Sequence, residues 1–149
     1  MKRFTSYALL LAIVGLTAAP HANAAERSSL TVTISGLRNQ KGQVCLSLFS
    51  EGQGFPGSSD RAIESQCVSV ISTETAVTFR NLNAGSYAVA VIHDANKDGT
   101  LNKGFLGIPK EGFGFSRNPR IRIGPPSFRD AAISVSGTST NIMIQLKYL

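Results

Sequence analysis

Apolar and polar residues alternate with period two along most of the chain, the pattern of strands with one buried face. Leu30, Val32 and Ile34 alternate with Thr31, Thr33 and Ser35. A second strand covers Gln43 to Phe49, and a third runs from Cys67 to Ile71. Val77 and Phe79 mark a short fourth, ended by the turn Asn81-Leu82-Asn83-Ala84-Gly85. Tyr87, Val89 and Val91 give a fifth, with Ala88, Ala90 and Ile92 between them. Being apolar on both faces, this fifth strand is predicted to lie centrally in a sheet. Ala131, Ile133 and Val135 form a sixth, and Ile142, Ile144 and Leu146 a seventh. The strands are joined by Gly, Ser, Asn and Pro, and no convincing amphipathic helix interrupts them. The predicted fold is therefore all-β, a seven-stranded, Ig-like Greek-key β-sandwich. Its one helical candidate, Ser58 to Glu64, is too short to stand alone.

The start of the chain departs from this pattern. Lys2 and Arg3 precede an apolar run from Tyr7 to Ala19, and Ala22-Asn23-Ala24 follows as a small-residue site. That is the three-part form of a cleavable secretory signal peptide, too short for a lasting membrane helix. Residues 1–24 are read as the signal, with cleavage after Ala24, and 25–149 as a single β-sandwich domain. The expected location is periplasmic or secreted, with no transmembrane segment after cleavage. Loss of Lys2 and Arg3 lowers the net charge from +6 to 6 − 2 = +4, too mild and too scattered a bias to indicate nucleic acid. The exception to the scatter is Arg117, Arg120, Arg122 and Arg129 near one loop.

An exported chain meets an oxidising compartment, where two cysteines usually pair. In VCLSLF, Cys45 alternates away from Val44, Leu46 and Leu48; in CVSV, Cys67 alternates away from Val68 and Val70. Both thiols thus fall on outward faces, consistent with a structural bridge between neighbouring strands.

The fifth and sixth predicted strands are separated by about 35 residues, far longer than an ordinary loop. Its first part, Asp94-Ala95-Asn96-Lys97-Asp98-Gly99-Thr100-Leu101-Asn102, resembles the opening of a calcium loop. Asp94, Asn96 and Asp98 stand at positions one, three and five, Gly99 at six, Thr100 at seven and Asn102 at nine. Position twelve, which should be a bidentate Glu, is Phe105, so Glu111 or Asp130 would have to supply that carboxylate. The competing reading makes these side chains turn-formers that accept from backbone N–H groups, with Gly99 at positive φ. A third draws His93, Asp94, Asp98 and Glu111 as an acid–base set. His93 shares the parity of Val89 and Val91, which favours a buried, hydrogen-bonded histidine.

The second part alternates glycine with apolar residues. Phe105, Leu106, Ile108, Phe113, Phe115, Ile121, Ile123 and Phe128 predict a packed excursion across one end of the sandwich, with room for a short extra hairpin. As a binding surface the region offers His93, Phe105, Glu111, Phe113, Phe115 and Arg117. No G-x-S-x-G, GxxxxGK[ST] or dinucleotide pattern can be assembled.

The segments His93-Asp94-Ala95-Asn96, Asp98-Gly99, Leu106 to Ser116 and Gly124 to Ala131 resemble a bacterial family known as domain of unknown function 2141. The resemblance implies an exported envelope protein and carries no activity. A broader similarity, through Phe79-Arg80-Asn81-Leu82-Asn83-Ala84-Gly85-Ser86-Tyr87-Ala88-Val89, is to transthyretin-like or carboxypeptidase-regulatory-like sandwich modules, and implies architecture only. The reading that results is a non-catalytic binding or accessory module of the envelope, with an unknown protein or envelope polymer as partner. An envelope hydrolase and a calcium-stabilised structural or adhesive module are the alternatives.

Overall fold

A computed structural model describes residues 27–149; the expected signal peptide, 1–24, lies outside the described residues. Eight strands form in chain order: β1 (Ser28–Ser35), β2 (Gln43–Phe49), β3 (Glu64–Ser69), β4 (Thr75–Leu82), β5 (Gly85–Asp94), β6 (Gly112–Phe115), β7 (Ile133–Val135) and β8 (Ser139–Gln145). One sheet has the order β4-β1-β8, with β1 antiparallel to β4 and parallel to β8. The other runs β3-β2-β5-β6, with β7 paired to the first residues of β5. β5 is central, as its two apolar faces predict: β2 takes one edge, while β6 and β7 share the other.

The alternating residues of both sheets meet in one core. Leu30, Val32 and Ile34 of β1, Phe79 of β4 and Ile144 of β8 face Val44, Leu46 and Leu48 of β2 and Val89 and Val91 of β5. Each such side chain, fully withdrawn from water, contributes roughly 1.5–3 kcal/mol before the entropy of ordering is set against it. A second apolar cluster covers the outer face of the larger sheet. There Phe49, Ala88, Ala90, Phe113, Phe115 and Ala131 are overlaid by Phe55, Ile121 and Phe128 from the loops.

Several expectations are corrected. Among the described residues the strands number eight rather than seven, because the long loop contains β6. Ala131 is not in the sixth predicted strand but closes a four-residue helix, α1 (Phe128–Ala131), capped by Ser127. The fourth strand is longer than expected, since a bulge resets its parity. Ser28 pairs Leu82 and Leu30 pairs Phe79, with Asn81 at φ 58°, so Phe79 and Leu82 both reach the core three residues apart. The helical candidate reduces to one 3₁₀ turn, Ser59–Arg61. Cys45 and Cys67 face each other directly on β2 and β3 and form the disulfide.

Candidate functional site

The loop from 95 to 111 leaves the end of β5 and returns into β6. Its base is built on Asp94, which is 0% exposed. One carboxylate oxygen accepts from the Asp98 N–H at 3.1 Å; the other accepts from the Gly99 N–H at 2.8 Å and from Gln43 Nε2 at 2.7 Å. Burial pushes this carboxyl up, but the hydrogen bonds from Gln43, Gly99 and Asp98 outweigh it and leave the pKa below the ordinary carboxylate value. Gly99 takes φ +77°, which closes the turn over Asp94.

Asp98 gathers the remaining polar side chains. Asn102 Nδ2 and Asn96 Nδ2 each donate to one of its oxygens at 2.8 Å, and the Thr100 N–H and hydroxyl donate to the other at 2.9 Å. The Asn102 bond leads these in lowering the Asp98 pKa to about 2. Glu111, just before β6, reaches back across the loop and accepts from the Ala95 N–H at 3.1 Å and the Asn102 N–H at 2.9 Å. It therefore clips the two limbs of the loop together.

The structure thus brings Asp94, Asn96, Asp98, Thr100, Asn102 and Glu111 into one network, in which the carboxylate oxygens accept from loop N–H groups. Their order matches the turn-forming reading. Among the described residues no group of three His, Cys, Asp or Glu side chains is placed to hold a metal ion. Asp130, the other carboxylate considered for a calcium loop, instead makes a capping box with Ser127 on α1.

The remaining candidates separate. His93 is 2% exposed, and its partners lie on the β1–β2 connection and the C-terminal segment rather than on the long loop. Nε2 lies 2.7 Å from the Lys41 carbonyl, which can only accept, so Nε2 carries a proton. Nδ1 lies 2.7 Å from Tyr148 Oη, which itself accepts from the Arg38 N–H at 3.1 Å. Both ring nitrogens are engaged, so the acid–base set drawn from sequence does not assemble around a free imidazole. Phe113 and Phe115, candidates for a binding surface, are buried in β6 within the outer apolar cluster. Arg117 is exposed in a separate left-handed turn after β6, with φ 64°.

Phe105 remains on the surface, and it is not alone. The tip is closed by the Lys103–Pro109 bridge, by the Gly104 N–H to the Ile108 carbonyl at 2.7 Å, and by the Lys110 N–H to the Asn102 carbonyl at 2.9 Å. At its apex Phe105 is 85% and Leu106 80% exposed, with Ile108 half-exposed beside them. These three, and Ile123, were expected to pack inward with Phe113 and Phe115; the tip bends outward instead, and Ile123 is left on the surface. Leu106 sits at φ 58° and Gly107 at φ 72°, a left-handed pair that turns the chain at the apex. A bulky residue in that region is a conformational outlier, kept only where its surroundings over-determine it.

Concave space offers less. The gap between β6, β8 and the 118–121 segment holds about 10 Å³, room for no more than one water. A hollow of about 430 Å³ beside Ser50, Gln53, Asp60 and Arg61 is open and mainly polar.

The comparisons agree with the resemblance seen in the sequence. The model of a family described as "uncharacterized protein conserved in bacteria (DUF2141)" matches residues 32–143, from β1 into β8, and the chain belongs to that family. No curated protein and no solved structure matches it.

Proposed function

We propose that this member of the DUF2141 family is a non-catalytic binding module of the bacterial envelope, periplasmic or secreted, that engages its partner through the tip of loop 95–111. The observation that carries the reading is the adjacent exposed pair Phe105 and Leu106 on a segment hydrogen-bonded to itself and clipped at its base by Glu111. Large apolar side chains held out on an ordered support are the usual form of an interaction surface. Export is supported by the basic, apolar and small-residue order of residues 1–24 and by the Cys45–Cys67 disulfide, which persists in oxidising compartments. The finer architecture, a Greek-key sandwich of transthyretin-like kind, is supported by Tyr87 at the start of β5. Its hydroxyl donates to the Asn83 carbonyl at 2.8 Å, in the manner of a tyrosine corner.

The test is retention of the exported chain in the envelope fraction of a bacterial host. Phe105→Ser combined with Leu106→Ser is expected to release the chain, whereas Ile123→Ser, which alters an exposed apolar residue outside the tip, leaves it bound. Equal retention of all three proteins refutes the reading.

A further inference from the structure

We infer that the partner of this tip is the surface of an anionic phospholipid bilayer. The inference rests on the binding-module reading and adds the chemistry of what is bound. Three features of the tip carry it.

The first is shape. Phe105, Leu106 and Ile108 stand exposed together around the left-handed turn at the apex. An exposed apolar apex suits the boundary between lipid headgroups and acyl chains, where amphipathic elements embed by a few ångströms. Protein partners of a peptide segment are more often received in a groove or along a sheet edge.

The second is charge. Lys97, Lys103 and Lys110 are all exposed in the same loop. Lys103 and Lys110 flank the apolar apex directly, and the Lys110 stem lies over Gly104, where a Cβ would be 3.0 Å from its Cε. The two carboxylates of the loop, Asp98 and Glu111, are turned onto loop N–H groups. An apolar apex flanked by two exposed lysines complements anionic headgroups, with each ammonium carried to the phosphates on a flexible stem.

The third is the backbone. A segment entering a low-dielectric interface must satisfy its own peptide groups. Within the tip the N–H groups of Gly104, Gly107, Ile108 and Lys110 are bonded to the carbonyls of Ile108, Gly104, Phe105 and Asn102. The left-handed Leu106–Gly107 turn makes this closure compatible with side chains pointing outward.

The experiment uses the exported chain and vesicles of either phosphatidylglycerol or phosphatidylcholine. The sequence contains no tryptophan, so Phe105→Trp places a single indole reporter at the apex. Its emission is expected to shift to the blue with phosphatidylglycerol vesicles and to remain unshifted with phosphatidylcholine. In co-sedimentation, Lys103→Gln and Lys110→Gln are each expected to weaken partition about five-fold, from the electrostatic attraction of one lysine near an anionic surface. Phe105→Ser with Leu106→Ser is expected to weaken it on the order of thirty-fold, from lost apolar burial. Because these side chains are exposed, the variants are expected to keep the wild-type unfolding midpoint; the shared N-terminus makes any contribution from it common to all.

Three results overturn the inference: a wild-type chain that stays in the supernatant, equal sedimentation of wild type and the double serine variant, or an indole shift that needs no vesicles and grows with protein concentration. The last would make a second copy of the chain the occupant. If the double variant leaves the envelope fraction while the wild type ignores purified lipid, the binding-module reading stands and the lipid inference falls.

Discussion

Replacing Asp94 by alanine removes the group on which the loop is built, and the structure sets the size of the effect. Three donors lose their acceptor: Gln43 Nε2 at 2.7 Å, the Gly99 N–H at 2.8 Å and the Asp98 N–H at 3.1 Å. Hydrogen bonds to a charged group contribute about 1.5–3 kcal/mol each. The two backbone donors belong to an exposed turn and can be rehydrated, so their full value is not lost. A net destabilisation of about 2–4 kcal/mol follows, most of it from the buried carboxylate position and the half-buried Gln43 amide. Urea unfolding measures this as a lowered midpoint at unchanged slope. Amide exchange adds a local readout, with exchange at Asp98 and Gly99 accelerated beyond the loss of protection that β1 and β2 share with the lowered global stability. The same unfolding curve in excess EDTA and in millimolar calcium is expected to coincide, because the oxygens of Asp94 and Asp98 already accept from the loop; a native-state ligand would raise the midpoint by mass action. A loss below about 0.5 kcal/mol, the range of an ordinary surface substitution, with unchanged exchange at Asp98 and Gly99 would refute the assignment of Asp94 as the loop's support.

Three further outcomes follow from the same contacts. The denatured, unreduced chain is expected to show no free thiol, and reduction of the Cys45–Cys67 bridge, closing a separation of 22 residues, to cost about 3 kcal/mol in the chain-entropy model. Asp94 and Asp98 both titrate below their ordinary value of 3.8 in the folded chain, so the unfolded state binds more protons and stability rises with pH. That contribution is complete above the unfolded value and is lost as pH falls through the folded ones, about 2 for Asp98; acid-unfolding curves should steepen over that window, and less so in Asp98→Asn. Gly112→Ala would place a Cβ 2.5 Å from Tyr148 Cζ, so the ring must move away from His93 Nδ1, at about 1–3 kcal/mol for overpacking; the His93 imidazole signals in NMR would report the broken contact.

How much of this was legible before the structure depended on whether a residue's neighbours were local. β1, β2 and β5 announced themselves because alternation along a strand is decided by one buried face, as with Leu30, Val32 and Ile34. The disulfide was legible for the same reason, since two outward cysteines on adjacent strands can meet. β6 was hidden by Gly112-Phe113-Gly114-Phe115. Its glycines mark close approach, for a Cβ at Gly114 would lie 2.7 Å from Ile144 Cγ2, while its phenylalanines fill the outer cluster. That approach is set by residues about thirty positions later, which no local pattern reports. The Asp94–Asn102 segment was ambiguous because calcium loops and Asx turns draw on the same residue types; what the sequence could not show is that the Asp94 and Asp98 oxygens accept from loop N–H groups. The support residues Gln43 and Tyr148 left no signal, being distant in sequence from what they hold. The exposed tip had a partial one in Gly104 and Gly107, which bracket Phe105 and Leu106 and permit the turn outward.

The central claim, that the tip of loop 95–111 is the contacting surface, is tested most directly by site-specific photocrosslinking in intact cells. A photoreactive residue replaces Phe105 in one chain and the still more exposed Ile123 in another, and adducts are identified after illumination. The account predicts a defined adduct from position 105 that Leu106→Ser diminishes, and none in common with position 123. Adducts of equal yield and identity at both positions, or none at 105 while 123 reacts, would contradict it.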